Sequence, residues 1–367
     1  MIKIESLFSY LKKKNITFFT GVPDSILKES KYILDKLEFK NHIVAHNEGG
    51  AIGIGAGYYL KTKKIPCVYF QNSGLGNAIN PLVSMVHKNV YSIPMLLLIG
   101  WRGAPKISKD EPQHLLQGKI TEKMLKLMNI RYCTIDHTKD FKQLGKIIDI
   151  SKKKQVPVAC LIKKNTLKKN FDEIKKKKVD KIKLKRHEII DFIIRKNYKN
   201  IKIFSTTGYT SRELYQLRKF NKSNTKDFLN VGAMGHTSMI ALGYSLKNKK
   251  HKTLCLDGDG SLIMHMGTLP VIGENQIKNF KHIVFNNEVH ESVGGQKTPQ
   301  KNTNFKKLSL SCGYSKYFFS NSLSDFKKKY ALFLKSNGPS FYEIKISSGS
   351  LKNLERPNNF IKIKKNF

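Results

Sequence analysis

The sequence predicts an α/β protein of two domains, each a mostly parallel sheet covered by helices. Three observations lead there. Short apolar runs ending in Gly, Asn or Asp alternate with helical stretches, the pattern of layered α/β folds. Most of these runs are continuously apolar rather than alternating in polarity, as in strands buried on both faces of a parallel sheet. The chain's 367 residues also exceed the usual size of one domain.

In chain order, the strand candidates are Ile43–Ala45, Pro66–Gln71, Ser92–Ile99, Val156–Ile162, Ile201–Phe204, Thr253–Leu256, His282–Phe285 and Phe341–Ile346. Helical stretches Gly49–Leu60, Leu75–His87 and Ser238–Leu246 follow several of them. The segment from Leu167 to Arg186 is dominated by lysine and has few strong apolar positions. That assigns residues 167–186 to a linker between a first domain, 1–166, and a second, 187–367. No short-period repeat is visible.

Composition narrows the class. Hydrophobic residues make up 40% of the chain, enough for proper cores. The formal net charge of +40 raises nucleic acid as a partner. Against this, nearly all the positive charge is lysine, with only seven arginines, Arg102, Arg131, Arg186, Arg195, Arg212, Arg218 and Arg356. Base readout and phosphate forks favour arginine. The lysines are spread along the chain, as on a solvated surface, so no specific nucleic-acid partner is expected. Such an excess can still draw in an anionic substrate. The five cysteines are scattered and lack CxxC spacing, which disfavours structural zinc and a disulfide framework. Cys160 and Cys255 lie in apolar runs and read as core. The longest strongly apolar run, near Pro94–Ile99, is far short of the roughly 20 residues of a membrane span. The N-terminal MIKIESLFSYLKKK has no signal-peptide layout. A cytoplasmic protein without a membrane partner is expected.

One motif carries the chemistry. The run Thr253–Leu256 leads into Asp257-Gly258-Asp259-Gly260-Ser261, and His282–Phe285 ends in Asn286-Asn287. Two parallel strands can each deliver an oxygen ligand at their carboxyl ends, where α/β sheets bind ligands. Glycines on both sides of Asp259 let the backbone approach a diphosphate closely. Carboxylate, amide and backbone oxygens together with phosphate oxygens suit Mg2+, and a nearby helix N-terminus adds amide donors for the anion. A GDG triplet alone marks many turns. Followed at this spacing by NN, with strands before both, it is far more specific.

This arrangement resembles the motif of the thiamine diphosphate-dependent decarboxylase and synthase superfamily. The resemblance implies thiamine diphosphate and Mg2+ as cofactors, held by two thiamine diphosphate-binding-type domains. It makes Asp259, the side chain of Asn287 and the backbone carbonyl of Val289 the metal ligands. Gly260 and Ser261, with Gly258 before them, match positions at the diphosphate, as does the turn of Thr207 and Gly208. Within Gly232-Ala233-Met234-Gly235-His236, Met234 matches the apolar wedge that bends the cofactor, and His236 supports the diphosphate. Glu48 matches the glutamate that hydrogen-bonds the pyrimidine ring and makes its imino tautomer accessible. In isolation Glu48 reads better as a complement to a helix N-terminus; beside the GDG–NN motif the catalytic role is favoured.

Further blocks are similar to the phosphonopyruvate decarboxylase family: Thr20–Ser25, Gln71–Asn77 with the cofactor positions Asn72 and Ser73, Leu98–Gly103, Asp110–His114, Arg212–Leu214 and Asn287–Gln296. The resemblance implies decarboxylation of a small anionic 2-oxo acid, phosphonopyruvate, to phosphonoacetaldehyde and CO2 in phosphonate biosynthesis. Close family members act on sulfopyruvate, often with the two halves as separate chains. A carboligase using the same cofactor is the other alternative, although such enzymes usually carry a third, central domain. Matching positions make Asp24, His114 and His290 the proton handlers beside Glu48, histidine being suited by its titration near neutral pH. Arg102, Arg212, Lys297 and Lys352 are candidates for the second anionic group. Leu351 stands where the family often has arginine. The resemblance also implies a homodimer or higher homo-oligomer, with one cofactor shared between the first half of one subunit and the second half of another.

Overall fold

The computed structural model describes residues 1–105, 110–168, 182–196, 200–223, 226–248, 250–300 and 302–367. The chain divides into two compact units: Met1–Lys176 together with Val293–Lys297, and Lys177–Ser292 with Thr298–Phe367.

The first unit is built on a six-stranded sheet in the order His42–Val44, Phe19–Gly21, Cys67–Gln71, Met95–Trp101, Pro157–Lys163, Arg131–Ile135. Every pairing is parallel. Its central strands are apolar because both faces are covered: Met95–Trp101 is buried at every position. On one face Leu96, Leu98, Val158 and Cys160 pack against Leu7 and Leu11 of helix Ile4–Lys13 and Leu144 and Ile148 of helix Phe141–Lys154. Helices Glu48–Thr62 and Leu75–Ser84 follow the second and third strands in the chain.

The second unit holds another six-stranded parallel sheet, in the order Phe228–Leu229, Ile201–Ser205, Lys252–Gly258, Phe280–Asn286, Ser340–Lys345, Lys316–Ser320. Side chains alternate between its faces. Leu254 and Leu256 join Ile283 and Phe285 in one core with helices Arg186–Lys196 and Leu323–Lys335. Cys255 and Val284 enter the opposite core with Ala241 and Leu242 of helix Thr237–Lys247.

Numbered from its own first strand, each sheet has the order 2-1-3-4-6-5. In both, the order reverses between the first and third strands, which opens a ligand-binding crevice at their carboxyl ends. Those ends are the chain after Gly21 and after Gln71 in the first unit, and after Ser205 and after Gly258 in the second.

All eight predicted strands are present, with ends shifted by a few residues, and their pairing is parallel as their continuous apolarity predicts. The structure adds Phe19–Gly21, Arg131–Ile135, Phe228–Leu229 and Lys316–Ser320, and a two-stranded parallel pair of Ile2–Lys3 with Leu167–Lys168. Most of the lysine-rich stretch predicted as a linker, residues 169–181, lies outside the described residues. Its described ends belong to the folded units: Leu167 is in the first core cluster, and Arg186 opens a helix and is buried. Among the described residues no helix is long and apolar enough to cross a membrane.

Candidate active site

At the switch point of the second sheet, Ser261 ties three chain segments together. Its hydroxyl lies 2.9 Å from Thr206 Oγ1, after the first strand, and accepts the Gly235 N–H at 3.2 Å, after the second. Ser261 itself follows the third strand. The turn glycines have the backbone freedom these approaches need. Gly208, with φ +90°, precedes helix Tyr209–Phe220. Gly235, with φ +87°, leaves no room for a Cβ, which would lie 2.4 Å from the His265 ring. Thr207, Gly232 and Met234 are half-buried at the same sheet end, whereas His236 is exposed, its Nδ1 3.2 Å from the Met234 carbonyl. The glycines around Asp259 have different roles. A side chain at Gly258 would meet nothing within 4 Å, whereas at Gly260 a Cβ would lie 2.9 Å from the His290 ring. Gly258 thus leaves open space, and Gly260 makes room for His290.

Asp259 is 3% exposed. Its Oδ2 accepts from Thr298 Oγ1 at 2.9 Å and from Gln300 Nε2 at 2.6 Å. Burial raises its carboxyl to about 7 in spite of those donors. A buried carboxylate so incompletely compensated fits a cation, which restores the charge balance that burial removes. On the neighbouring strand end, Asn287 Oδ1 accepts the Val289 N–H at 3.2 Å and its Nδ2 donates to Glu291 at 3.2 Å. Glu291 is held by Arg186 at 3.3 Å. The Val289 carbonyl accepts the Glu291 N–H at 2.9 Å and keeps a second lone pair. A cleft of about 160 Å³ adjoins Asn287, lined also by Glu288, Lys345 and Ser347.

At the switch point of the first sheet, Glu48 is 5% exposed at the start of helix Glu48–Thr62. Asn47 caps that helix by accepting the Gly50 N–H at 2.8 Å. The Glu48 Oε2 accepts from Asn77 at 2.7 Å, and burial pushes its carboxyl up. Gly74 is required beside it, since a Cβ there would lie 2.3 Å from Glu48 Oε1. Asp24 is 1% exposed, and burial raises its carboxyl to about 6. Its Oδ2 accepts the Leu27 N–H at 3.2 Å, and its Oδ1 has no partner among the described residues. Asn72 is engaged within the protein. Its amide donates to the Arg102 carbonyl at 3.0 Å and to Thr121 at 2.9 Å, and it accepts the Arg102 N–H at 3.0 Å. Ser73 accepts from Gln71 at 2.8 Å.

One sequence expectation changes. His114 and His290 are predicted to titrate near neutral pH, but burial holds both down to about 4. Both are therefore neutral at pH 7, whereas the carboxyls of Asp24 and Glu48 move upward, toward neutrality. The cationic candidates are not alike either. Arg102 is enclosed by Asp110, at 2.9 and 2.5 Å, and Glu111, at 2.9 Å. Arg212 donates to the backbone carbonyls of Leu354 and Glu355. Lys297 and Lys352 are exposed. The sequence reading missed Gly74, Asn77, Gly100, Thr298 and Gln300. Gly74 and Asn77 lie within the Gln71–Asn77 block and Gly100 within Leu98–Gly103, and Thr298 and Gln300 follow the Asn287–Gln296 block, but the sequence alone assigns none of them a role.

Comparison with known proteins agrees with this layout. The N-terminal TPP binding domain model of thiamine pyrophosphate enzymes matches residues 4–124, and the C-terminal TPP binding domain model matches residues 206–344. A phosphonopyruvate decarboxylase of Streptomyces viridochromogenes is 30% identical over 97% of this chain and 91% of its own. One from Streptomyces hygroscopicus is 29% identical over 97% and 90%. The sulfopyruvate decarboxylase subunit beta of Methanocaldococcus jannaschii is 35% identical, over 40% of this chain and 75% of its own. With both domain types in order and near-complete coverage in the first two relatives, the chain belongs to the phosphonopyruvate decarboxylase family of thiamine diphosphate enzymes.

Proposed function

We propose that this protein decarboxylates phosphonopyruvate to phosphonoacetaldehyde and CO2, with thiamine diphosphate and Mg2+ bound, as a cytoplasmic homo-oligomer serving phosphonate biosynthesis. The observation that carries the reading is similarity to phosphonopyruvate decarboxylases along nearly the whole chain. The buried Glu48 and Asp259 support it at the level of chemistry. In this reading residues 1–166 bind the pyrimidine, and residues 187–367 bind the diphosphate and the metal.

Bound thiamine diphosphate supplies a carbon nucleophile for the 2-carbonyl and a ring that accepts the electrons left when CO2 departs. The protein's work is binding, orientation and proton handling. Asp259, the Asn287 side chain and the Val289 carbonyl hold the cation. Ser261, the Gly208 turn and the open space at Gly258 receive the diphosphate. Met234 wedges the cofactor, and His236 supports it. Glu48 holds a proton toward the pyrimidine ring, a task favoured by the upward push that burial gives its carboxyl. Asp24, raised to about 6, supplies the proton that completes the aldehyde. His114 and His290, neutral at pH 7, orient the carboxylate and the carbonyl oxygen by hydrogen bonds.

The test is to incubate the purified protein, thiamine diphosphate and Mg2+ with phosphonopyruvate, sulfopyruvate or pyruvate, and to measure CO2 and aldehyde. Phosphonopyruvate is expected to be the preferred substrate. Equal turnover of pyruvate would refute the preference for a second anionic group. Sulfopyruvate as best substrate would keep the chemistry and reassign the substrate, and a ligated acid in place of the aldehyde would make the protein a carboligase.

A further inference from the structure

Asn286 and Asn287 are neighbours in sequence but sit at the end of a strand, where successive side chains point to opposite sides. Only Asn287 is assigned to the cation. Asn286 is buried and faces a chain of hydrogen bonds that ends on Asp259. Gln300, 6% exposed, donates both amide hydrogens: one to Asp259 Oδ2 at 2.6 Å, the other to Asn286 Oδ1 at 2.8 Å. Asn286 Nδ2 in turn donates to Glu343 Oε1 at 2.7 Å, and Glu343 Oε2 accepts the Tyr317 hydroxyl at 2.6 Å.

We infer that Gln300 is a positioning residue for the cation site, held in place by Asn286, Glu343 and Tyr317, and that it fixes the orientation in which the Asp259 carboxylate is presented to the cation. The inference rests on the proposed cation role of Asp259. The amide of Gln300 has one workable orientation, because reversing it would set its carbonyl oxygen against two acceptors. Thr298 donates to the same Asp259 oxygen at 2.9 Å. Both side-chain donors thus converge on Oδ2, and among the described residues Oδ1 receives no side-chain donor. Turning the carboxylate would break both bonds and leave buried polar groups unpaired. Register supports the relay: Val284 pairs with Glu343 on adjacent strands, so Asn286, two residues on, shares the face of Glu343. Burial, and then the Glu343 carboxylate, push the Tyr317 phenol far up, so it remains a donor at the outer end. That end opens on a groove of about 600 Å³ lined by Tyr317 and Glu343.

The experiment titrates Mn2+ into protein saturated with thiamine diphosphate, by calorimetry and by the Mn2+ paramagnetic resonance signal. Gln300→Leu should weaken Mn2+ binding by about ten-fold or more, as loss of a partner behind a metal ligand does. The Mg2+ concentration for half-activation should rise in parallel, while kcat at saturating Mg2+ stays within about three-fold, a split that a merely structural role would not produce. Thr298→Val and Glu343→Leu, each removing one link, should shift affinity in the same direction by about three-fold, and they carry the test if Gln300→Leu does not fold. Mn2+ affinity within about two-fold of wild type in the folded variants overturns the inference. Wild-type protein that binds no Mn2+ overturns the functional reading itself.

Discussion

Asp24 is held in a space that glycine makes for it. A Cβ on Gly100 would lie 1.7 Å from Asp24 Oδ2. Burial there raises the carboxyl from 3.8 to about 6. The folded protein therefore binds this proton more tightly than the unfolded chain does. Its contribution to stability is greatest below about pH 4, declines as pH rises toward 6, and stays lost above that. The rise corresponds to about 3 kcal/mol at most. Asp24→Asn, which cannot ionise, should be more stable than wild type at pH 8 and differ little at pH 4, while losing most turnover. Thermal unfolding at the two pH values checks this, and an unchanged difference between them would assign the pH dependence elsewhere. Asp24, Glu48 and Asp259 were legible in the sequence because each sits in a recognisable block. The roles of Gly100 and Asn77, although both residues lie in such blocks, and of Gln300 were not. Each acts on a residue that only the folded sheet brings near, and nothing in its local sequence marks that pairing.

The helix that carries Glu48 shows how elements place a side chain. Asn47 fixes its start, and Leu75–Ser84 packs closely enough that a Cβ on Gly49 would lie 2.9 Å from the Asn77 carbonyl. The same approach brings the Asn77 amide to Glu48. Gly74, just before the second helix, is the tightest point. Gly74→Ala should therefore displace the Glu48 carboxylate and destabilise the fold by about 1–3 kcal/mol. Glu48→Gln should keep the fold and cofactor affinity, yet share with Gly74→Ala a loss of turnover and slowed deuterium exchange at the thiazolium carbon. Wild-type exchange in Glu48→Gln would leave Glu48 only its helix-terminus role. Strands were legible where a longer apolar run marked them; Phe19–Gly21, although buried at every position, is three residues long and was missed. The central strands announce themselves as apolar runs. The missed Arg131–Ile135 and Lys316–Ser320 are sheet edges whose residues are largely half-buried or exposed, and Phe228–Leu229 is two residues long. Such segments carry too little apolar signal to separate from loop.

Across the whole molecule, charge and core act in opposition. Each unit has its own core, but the chain carries a formal +40. Self-repulsion of that size opposes compactness. Raising NaCl from about 10 to 150 mM shortens the screening length from about 30 to 8 Å and should raise the melting temperature. A fall would mean that surface ion pairs outweigh the repulsion. The shared strand order was not legible, because the halves have no obvious sequence identity and the short strands that complete each sheet were missed.

That common order also governs how the chain can vary in length. The residues assigned to chemistry follow the carboxyl ends of strands in both sheets, whereas the connections at the opposite rim, such as residues 63–66 and 336–339, carry none of them. Insertions and deletions at that rim change the outline of the protein without touching its reaction. At the carboxyl rim an added residue acts directly on the segments that hold the residues assigned to chemistry.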